Sequence, residues 1–160
     1  MAEVLRTLAL VGAIALLAAA SASAAGGTTA TLSNSSPSAN RVALTIVLQD
    51  VVLRCGRTDI HSLSVVLPHA MHVPRSIAPA DVRLGAQQAA SVQTNGSTIE
   101  LSLPSASSGV MCDLLVLGTT RLQISRAAGL GNPARAGTYA FTVEAKPRGE
   151  VWHGSLVVRR

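Results

Sequence analysis

Short hydrophobic stretches with a period of two constrain the fold of this chain more than any other feature. Large hydrophobic residues alternate in them with small or polar ones, which is typical of β-strands that have one face on a core and one face in water. The longer stretches cover residues 42–49, 62–67, 98–103, 138–144 and 152–158, and shorter candidates cover residues 29–33, 51–54, 81–84, 114–117 and 122–124. Proline, glycine and asparagine separate the stretches, and Asn95-Gly96 predicts a type I′ hairpin turn. This spacing predicts an all-β fold, an antiparallel sandwich of about seven to nine strands.

The first 24 residues are typical of an export signal, which we expect to be helical. Residues 7–20 carry no charge, and the small residues Ala22 and Ala24 match the usual cleavage pattern. We therefore expect a signal peptide at residues 1–24, cleavage before Ala25, and a protein that is secreted or lies at the cell surface. An uncleaved anchor is the alternative, but alanine, serine and glycine follow the apolar stretch and are too polar for a good membrane span. No stable membrane insertion is expected after cleavage.

The remaining residues, 25–160, have a length that suits one domain, and no internal repeat divides them. Residues 25–40 are rich in glycine, serine, threonine and asparagine. They predict either a flexible leader or a leader that enters an edge strand around residues 30–33.

The two cysteines, Cys55 and Cys112, are an even pair in a chain with an export signal. Oxidising compartments favour a disulfide between such a pair. A bridge that closes the loop between residues 55 and 112 stabilises the fold by about 4 kcal/mol in the chain-entropy estimate. Two free buried thiols or a pair of soft metal ligands are the alternatives.

The charge of the chain is positive but dispersed along the sequence. The formal net charge is +5, and 12 of the 13 basic residues are arginines, the exception being Lys146. No run of five basic residues occurs and no aromatic residues are interleaved with them, so the sequence does not predict nucleic-acid binding. Weak attraction to anionic polymers of the cell envelope follows from the sign of the charge.

The sequence contains no motif that carries catalytic chemistry. The acidic residues are scattered at one per predicted element, whereas general acid–base catalysis needs two such groups, or a histidine beside one, in a cleft. The nucleophile elbow, the phosphate-binding loop, the dinucleotide fingerprint and the zinc-protease motif are absent from the sequence. The sequence therefore predicts a protein that is not an enzyme and needs no cofactor.

One histidine- and methionine-containing segment is a candidate copper site. In His69-Ala70-Met71-His72, imidazole and thioether groups supply the soft ligands that copper prefers. In an extended segment His69 and Met71 would share one face, and a complete site would need further ligands such as Met111, Cys112 or His153. The alternative interpretation is a loop with two exposed histidines and a methionine packed beneath the end of a strand.

The only three aromatic residues, Tyr139, Phe141 and Trp152, lie in the last two alternating stretches. This position predicts that they belong to the core, and a ligand-stacking platform is the alternative.

Residues 129–143 read Gly-Leu-Gly-Asn-Pro-Ala-Arg-Ala-Gly-Thr-Tyr-Ala-Phe-Thr-Val. The segment resembles the NP-x-x-AGTY-x-F-x-V signature near the end of immunoglobulin-like (Ig-like) modules in secreted bacterial proteins. The resemblance extends loosely over most of residues 28–145. It implies an Ig-like sandwich in which Pro133 fixes a loop, Gly137 provides a tight entry, and Tyr139 and Phe141 fill the core.

Modules of this kind are structural, envelope or adhesive domains, and the resemblance supplies no catalytic residues. The first hypothesis for function is therefore a non-enzymatic Ig-like structural or binding module, secreted or in the cell envelope. Its partner would be an unknown protein or an envelope polymer, bound through loops or an exposed sheet edge. The second hypothesis is an exported copper-binding sandwich that uses His69, Met71 and His72.

Overall fold

The computed structural model describes residues 28–53, 62–104, 115–146 and 150–160. The predicted signal and both cysteines lie outside these residues. The described strands are β1 (Thr28–Leu32), β2 (Asn40–Val42), β3 (Leu44–Leu53), β4 (Ser62–Val66), β5 (Val82–Leu84), β6 (Gln87–Gln88), β7 (Ser91–Asn95), β8 (Thr98–Ser102), β9 (Leu115–Ile124), β10 (Leu130–Gly131), β11 (Gly137–Lys146) and β12 (Glu150–Val158). Two 3-10 turns, Pro79–Asp81 and Arg126–Ala128, are the described helical elements, and neither approaches the length of a membrane span.

Ten strands form one hydrogen-bonded sheet in the order β6-β5-β9-β3-β1-β12-β11-β4-β8-β7. Strands β2 and β10 pair in a separate small sheet. Strand β1 lies in the middle of the large sheet, antiparallel to β3 and parallel to β12. Buried side chains of β3, β9 and β5, which precede β1 in this order, and of β12, β11 and β4, which follow it, belong to one core cluster. The sheet therefore folds over on itself at β1. The all-β prediction is confirmed, and the large sheet forms a two-layer sandwich.

The strand order within the layers is that of an Ig-like domain. Strands β1, β3, β9 and β5 lie in the order A-B-E-D of the first Ig sheet, and β12, β11 and β4 lie in the order G-F-C of the second. The pair β8 and β7 extends the second layer beyond β4, but it follows β5 in the chain. In variable-type Ig domains the additional pair extends the same sheet but lies between strands C and D.

Tyr139 supplies a second Ig-like feature. It lies near the start of β11, the strand in position F, and its hydroxyl donates a hydrogen bond to the carbonyl of Arg135, four residues upstream, at 2.8 Å. This geometry is the tyrosine corner of Ig-like sandwiches. The Ig-like fold class is thus carried by strand order and by a local hydrogen bond together.

Two pairs of predicted strands are each one continuous strand. The sequence predicts separate strands at residues 42–49 and 51–54, but residues 44–49 and 51–53 both lie in β3. The buried residues Leu48 and Val51 break the period of two between them. The register with β9 shifts between Leu48 and Val51, so a β-bulge restores the buried face after the break. In the same way β9 includes residues 115–117 and 122–124, which the sequence predicts as parts of two separate strands.

The turn between β7 and β8 differs from the predicted type. Strand β7 ends at Asn95 and β8 begins at Thr98, so Gly96 and Ser97 form the loop. Only Gly96 of these two has a positive φ, +59°. A glycine at the first central position is typical of a type II′ turn, whereas type I′ needs a positive φ at both positions.

The aromatic residues lie where the prediction placed them, with one difference. Phe141 and Trp152 are buried in the core, and Tyr139 is half-buried against it. The Trp152 indole Nε1 donates to the carbonyl of Gln49 on β3 at 3.0 Å, which satisfies the indole N–H and ties the two layers together.

Gly154 lies where three strands meet. It pairs with Thr28 of β1 on one side and with Phe141 of β11 on the other. The Phe141 ring occupies the space that a β-carbon on residue 154 would need. The absence of a side chain at this position lets β1 and the ring approach β12 together.

Candidate binding surface

Three loops and the residues after β12 meet at one end of the sandwich. The loops are residues 33–43, 67–81 and 125–136, and residues 159–160 follow β12. We call these four segments the loop pole. They converge because β1, β4, β9 and β12 all run toward this end, as their registers show.

Backbone hydrogen bonds join the segments of the loop pole. The Ser38 amide donates to Pro133 at 2.9 Å, and the Asn132 amide donates to Ala39 at 2.8 Å. Three further bonds, of 2.8–3.0 Å, join His72 to Gly131 in both directions and the Arg159 amide to Ser35. Such bonds satisfy loop amides that would otherwise need water, and they make the pole a connected surface.

The Asn132 side chain has a structural role within the Asn-Pro sequence. Its Nδ2 donates to the carbonyls of Asn34, at 2.7 Å, and Ser36, at 2.9 Å, while the residue is 7% exposed. The Asn34 carboxamide in turn accepts from the Ser36 amide at 2.9 Å. Asn132 therefore fixes the conformation of the first loop from the third.

Two residues of the first loop adopt a backbone conformation that side chains disfavour. Ser38 has a φ of 56° and Arg41 a φ of 55°, in the left-handed region. That conformation costs roughly 1–2 kcal/mol for a residue other than glycine. The pairing of β2 with β10, through Asn40 opposite Gly131 and Val42 opposite Leu130, holds the chain on both sides of Arg41. Strain maintained in this way is commonly found at functional surfaces.

The loop pole concentrates the positive charge of the described chain. Six arginines lie in it, all exposed, namely Arg41, Arg75, Arg126, Arg135, Arg159 and Arg160. Its only acidic residue is Asp81. The other described residues include Arg83, Arg121 and Lys146, with the acids Asp50, Glu100, Glu144 and Glu150. Within the described residues, arginines that are distant in the sequence are thus brought together at one end of the fold.

The one ion pair among the described residues lies away from the pole. Lys146 Nζ is 2.9 Å from Glu100 Oε1 on the outer face of the second layer. The hydrogen bond to Glu100, together with its charge, raises the pKa of the Lys146 ammonium above the ordinary value. Lys146 is therefore a charged group bound to a carboxylate and not a nucleophile.

A groove of about 260 Å³ extends from the pole onto the outer face of the first layer, lined by Ala43, Thr45, Ala80, Asp81, Arg83, Gln123, Ile124 and Ser125. The Ser125 hydroxyl donates to the Asp81 carboxylate at 2.7 Å and accepts from the Ala127 amide at 3.1 Å. A serine activated as a nucleophile needs a base such as histidine, and the lining residues include none. The serine instead joins the second and third loops of the pole and caps the turn Arg126–Ala128.

The residues of the predicted copper site lie on different sides of their loop. His69 and His72 are exposed, whereas Met71 is buried in the core cluster. The Met71 amide donates to Pro68 at 2.9 Å, so the chain turns here and the extended geometry assumed for the site is absent. His153 lies on β12 opposite Thr142. Among the described residues no three histidine, cysteine, aspartate or glutamate side chains are grouped as metal ligands, and Met111 and Cys112 lie outside these residues.

The predicted disulfide also lies outside the described residues, but its flanking segments are paired. Leu53, two residues before Cys55, is opposite Leu115, three residues after Cys112, in the ladder of β3 and β9. The pairing of Leu53 with Leu115 leaves only a few residues between each paired position and its cysteine, a separation that is compatible with a bridge. The bridge between Cys55 and Cys112 stays a prediction.

Comparison with known proteins identifies no family. No protein-family model matches the chain, and no curated protein is a significant match. Among solved structures, the chain is similar to the pilus 2b backbone protein of group B streptococcus, with a TM-score of 0.45 and 12% identity over 84% of this chain and 57% of that one. It is also similar to the C-terminal domain of the antigen I/II-family protein AspA of Streptococcus pyogenes, with a TM-score of 0.43 and 12% identity over 82% of this chain and 46% of that one. The chain spans about half the length of these structures.

Sequence reasoning did not find the loop pole. Its arginines lie in separate connections between strands, each of which alone is an ordinary solvated loop. The predicted fold class could have indicated the pole, because alternate connections in an antiparallel sandwich lie at the same end of the domain. The arginines of the first, second and third loops therefore had to meet once the strand order was known.

Proposed function

We propose that this protein is a non-enzymatic Ig-like binding module that acts outside the cytoplasm, and that the loop pole is its recognition surface. The observation that carries the proposal is the pole itself: hydrogen-bonded loops that hold exposed charged side chains on a fixed backbone. Loops held by a rigid scaffold are the common location of binding residues. A surface that is ordered before binding loses less conformational entropy when it binds.

Export is tested with the full chain in the cells that produce it. We expect to find the protein in the envelope or the medium, and we expect its intact mass to correspond to a chain that begins near Ala25. Full-length protein retained in the cytoplasm would contradict the proposed location.

The recognition surface is tested with a matched pair of bulky substitutions. Ala134 lies exposed in the third loop of the pole, and Ala140 lies exposed on the outer face of β11. We expect the protein to adsorb saturably to isolated envelopes, Ala134→Trp to abolish adsorption, and Ala140→Trp to leave it unchanged. Equal effects of the two variants would show that the pole is not the surface that binds.

Copper titration tests the alternative function. Because Met71 is buried while His69 and His72 are exposed, we expect no saturable binding of copper to the purified protein. Tight binding that is lost in a His69→Ala/Met71→Ala variant would favour the copper hypothesis.

A further inference from the structure

We infer that the loop pole binds a linear polymer of phosphate groups that carries no nucleobases. The inference rests on the proposed function and names the chemistry of its partner. It is drawn from the distribution of charge, the kinds of donor at the pole, and the side chains that the pole lacks.

The charge distribution favours a polyanion over a single anion. The pole carries six exposed arginines and one aspartate, whereas the other described residues include slightly more acidic than basic residues. Asp81 offsets the charge of only one of these six arginines. The six side chains are exposed and spread over four segments, so they suit repeated anionic groups along a chain. A polymer that spans them releases several bound counterions at once, which strengthens binding.

The donors at the pole favour phosphate. Guanidinium groups stay charged at every physiological pH, and their planar fork matches phosphate oxygens in pairs. Exposed hydroxyl and amide side chains lie beside them in the first loop, namely Ser33, Asn34, Ser36, Ser38 and Asn40. Arg126 Nε already lies 3.4 Å from the Ser33 hydroxyl, so a cation and a hydroxyl of different loops are neighbours. Contacts to phosphate backbones typically combine arginine with serine, asparagine and main-chain amides.

The side chains that the pole lacks argue against a nucleic acid or a protein. Nucleic acids without sequence preference bind to grooves where bases stack on aromatic rings. In the described part of the chain, Phe141 and Trp152 are buried, and Tyr139 is half-buried with its hydroxyl bonded to Arg135. The exposed large hydrophobic residues, Val66, Val151 and Val157, lie on strands outside the pole, whereas protein interfaces usually have an apolar centre.

Backbone rigidity makes the arrangement effective. Arg41 lies between residues held by the pairing of β2 with β10, and the Arg159 amide is bonded to Ser35 of the first loop. The positions from which the arginines extend are therefore set before the ligand arrives. Only side-chain rotamers remain to be ordered on binding, which lowers its entropic cost.

The test compares sets of arginine-to-glutamine variants that remove equal charge. The first pole set is Arg41→Gln/Arg126→Gln/Arg159→Gln, the second is Arg75→Gln/Arg135→Gln/Arg160→Gln, and the control set is Arg83→Gln/Arg121→Gln/Lys146→Gln. Binding of the purified protein to inorganic polyphosphate is measured by fluorescence anisotropy over a range of salt concentrations, with polyglutamate and oligothymidylate as further probes. Thermal unfolding verifies that each variant is folded, and the second pole set keeps the test valid if the first does not fold.

We expect polyphosphate to bind more tightly than either other probe. Each pole set should weaken binding at least tenfold and reduce the slope of log K against log salt by about 2–3, since each lost phosphate contact removes about 0.7–0.9. The control set should change affinity less than threefold. Equal losses in pole and control sets, tighter binding to polyglutamate or oligothymidylate, or no binding to polyphosphate would each overturn the inference.

These outcomes are separable from failure of the proposed function. If the exported protein adsorbs to envelopes in a manner that Ala134→Trp blocks, but polyphosphate neither binds nor competes, the pole recognises another partner and this inference is wrong. If polyphosphate binds through the pole but the protein stays in the cytoplasm, the inference stands and the proposed location is wrong.

Discussion

Replacing Gly154 with alanine is the sharpest test of how the two layers join. A β-carbon at this position would lie 2.7 Å from Phe141 Cε1 and 2.9 Å from the Thr28 carbonyl oxygen. Favourable carbon–carbon separations are about 3.5–4.0 Å, so both groups must move. Phe141 is 2% exposed and packed in the core, and Thr28 is paired with Gly154 in the parallel ladder.

We expect Gly154→Ala to lower the free energy of unfolding by about 2–3 kcal/mol, in the upper part of the range for overpacked cores. For a domain of this size the loss corresponds to roughly 8–12 °C in Tm. Urea unfolding followed by fluorescence measures it directly, because Trp152 is the only tryptophan and is buried. Gly137→Ala is the matched control on the same hairpin, since its β-carbon would lie 3.5 Å from Tyr139 Cε2, an ordinary contact. It should stay within about 1 kcal/mol of the unmodified protein.

A second substitution separates the two contacts. In a Phe141→Leu background the ring edge is gone, while the Thr28 carbonyl remains close to residue 154. Gly154→Ala should therefore cost at least about 0.5 kcal/mol less in that background than alone, as for coupled neighbours. If Gly154→Ala costs no more than Gly137→Ala, or if its effect adds simply to that of Phe141→Leu, the close approach of β1, β11 and β12 at this point is refuted.

Three further predictions concern other contacts. Asn132→Ala should lower the free energy of unfolding by about 1–3 kcal/mol, since two loop carbonyls lose their donor, and Asn132→Asp should not restore it; urea curves identical to those of the unmodified protein would show that the clamp is not needed. Glu100→Gln should bring the pKa of Lys146 down toward 10.5, measured by NMR on the ¹³C-dimethylated amine of this only lysine, and an unchanged titration would contradict the pairing. Because the pKa is raised in the folded state, the pair stabilises the fold below about pH 10.5, and this contribution is lost as the pH rises through the raised pKa. The exported protein should show no free thiol when denatured without reductant, and Cys55→Ser/Cys112→Ser should cost about 4 kcal/mol; two reactive thiols in the parent protein would exclude the bridge.

The strands that sequence reasoning identified are those with a buried and an exposed face. Strands β4, β8, β11 and β12 lie within a few residues of the alternating stretches, because burial on one face imposes a period of two. Strand β7, with Val92 as its only large hydrophobic residue, was missed because it lies at the end of the large sheet and contributes little to the core. The two-residue strands β6 and β10 were missed because so short a segment has no period to detect, and only Val42 of β2 lay within a predicted stretch. Strand β1 was expected at an edge if it formed at all, whereas pairing on both sides places it in the middle of the large sheet.

The candidate site, too, was predictable from the sequence where it depends on local residue types and not where it depends on contacts between distant residues. The side-chain pattern around Pro133 identified a loop followed by a strand, but the partners of Asn132 lie almost a hundred residues away in the chain. The histidines and methionine at residues 69–72 were identified as soft ligands from their types alone. Their separation by a turn depends on the hydrogen bond to Pro68 and on the core that draws Met71 inward.

The sequence by itself determined the all-β class, the faces of most long strands and the sign of the net charge, since each follows from residue type and local periodicity. Only the tertiary structure decided where that charge acts. Arginines from Arg41 to Arg160 are distant in the chain, and an antiparallel sandwich places alternate connections at one end. The pairing of strands, a property of the whole chain, therefore brings six arginines of the described residues into one cationic surface.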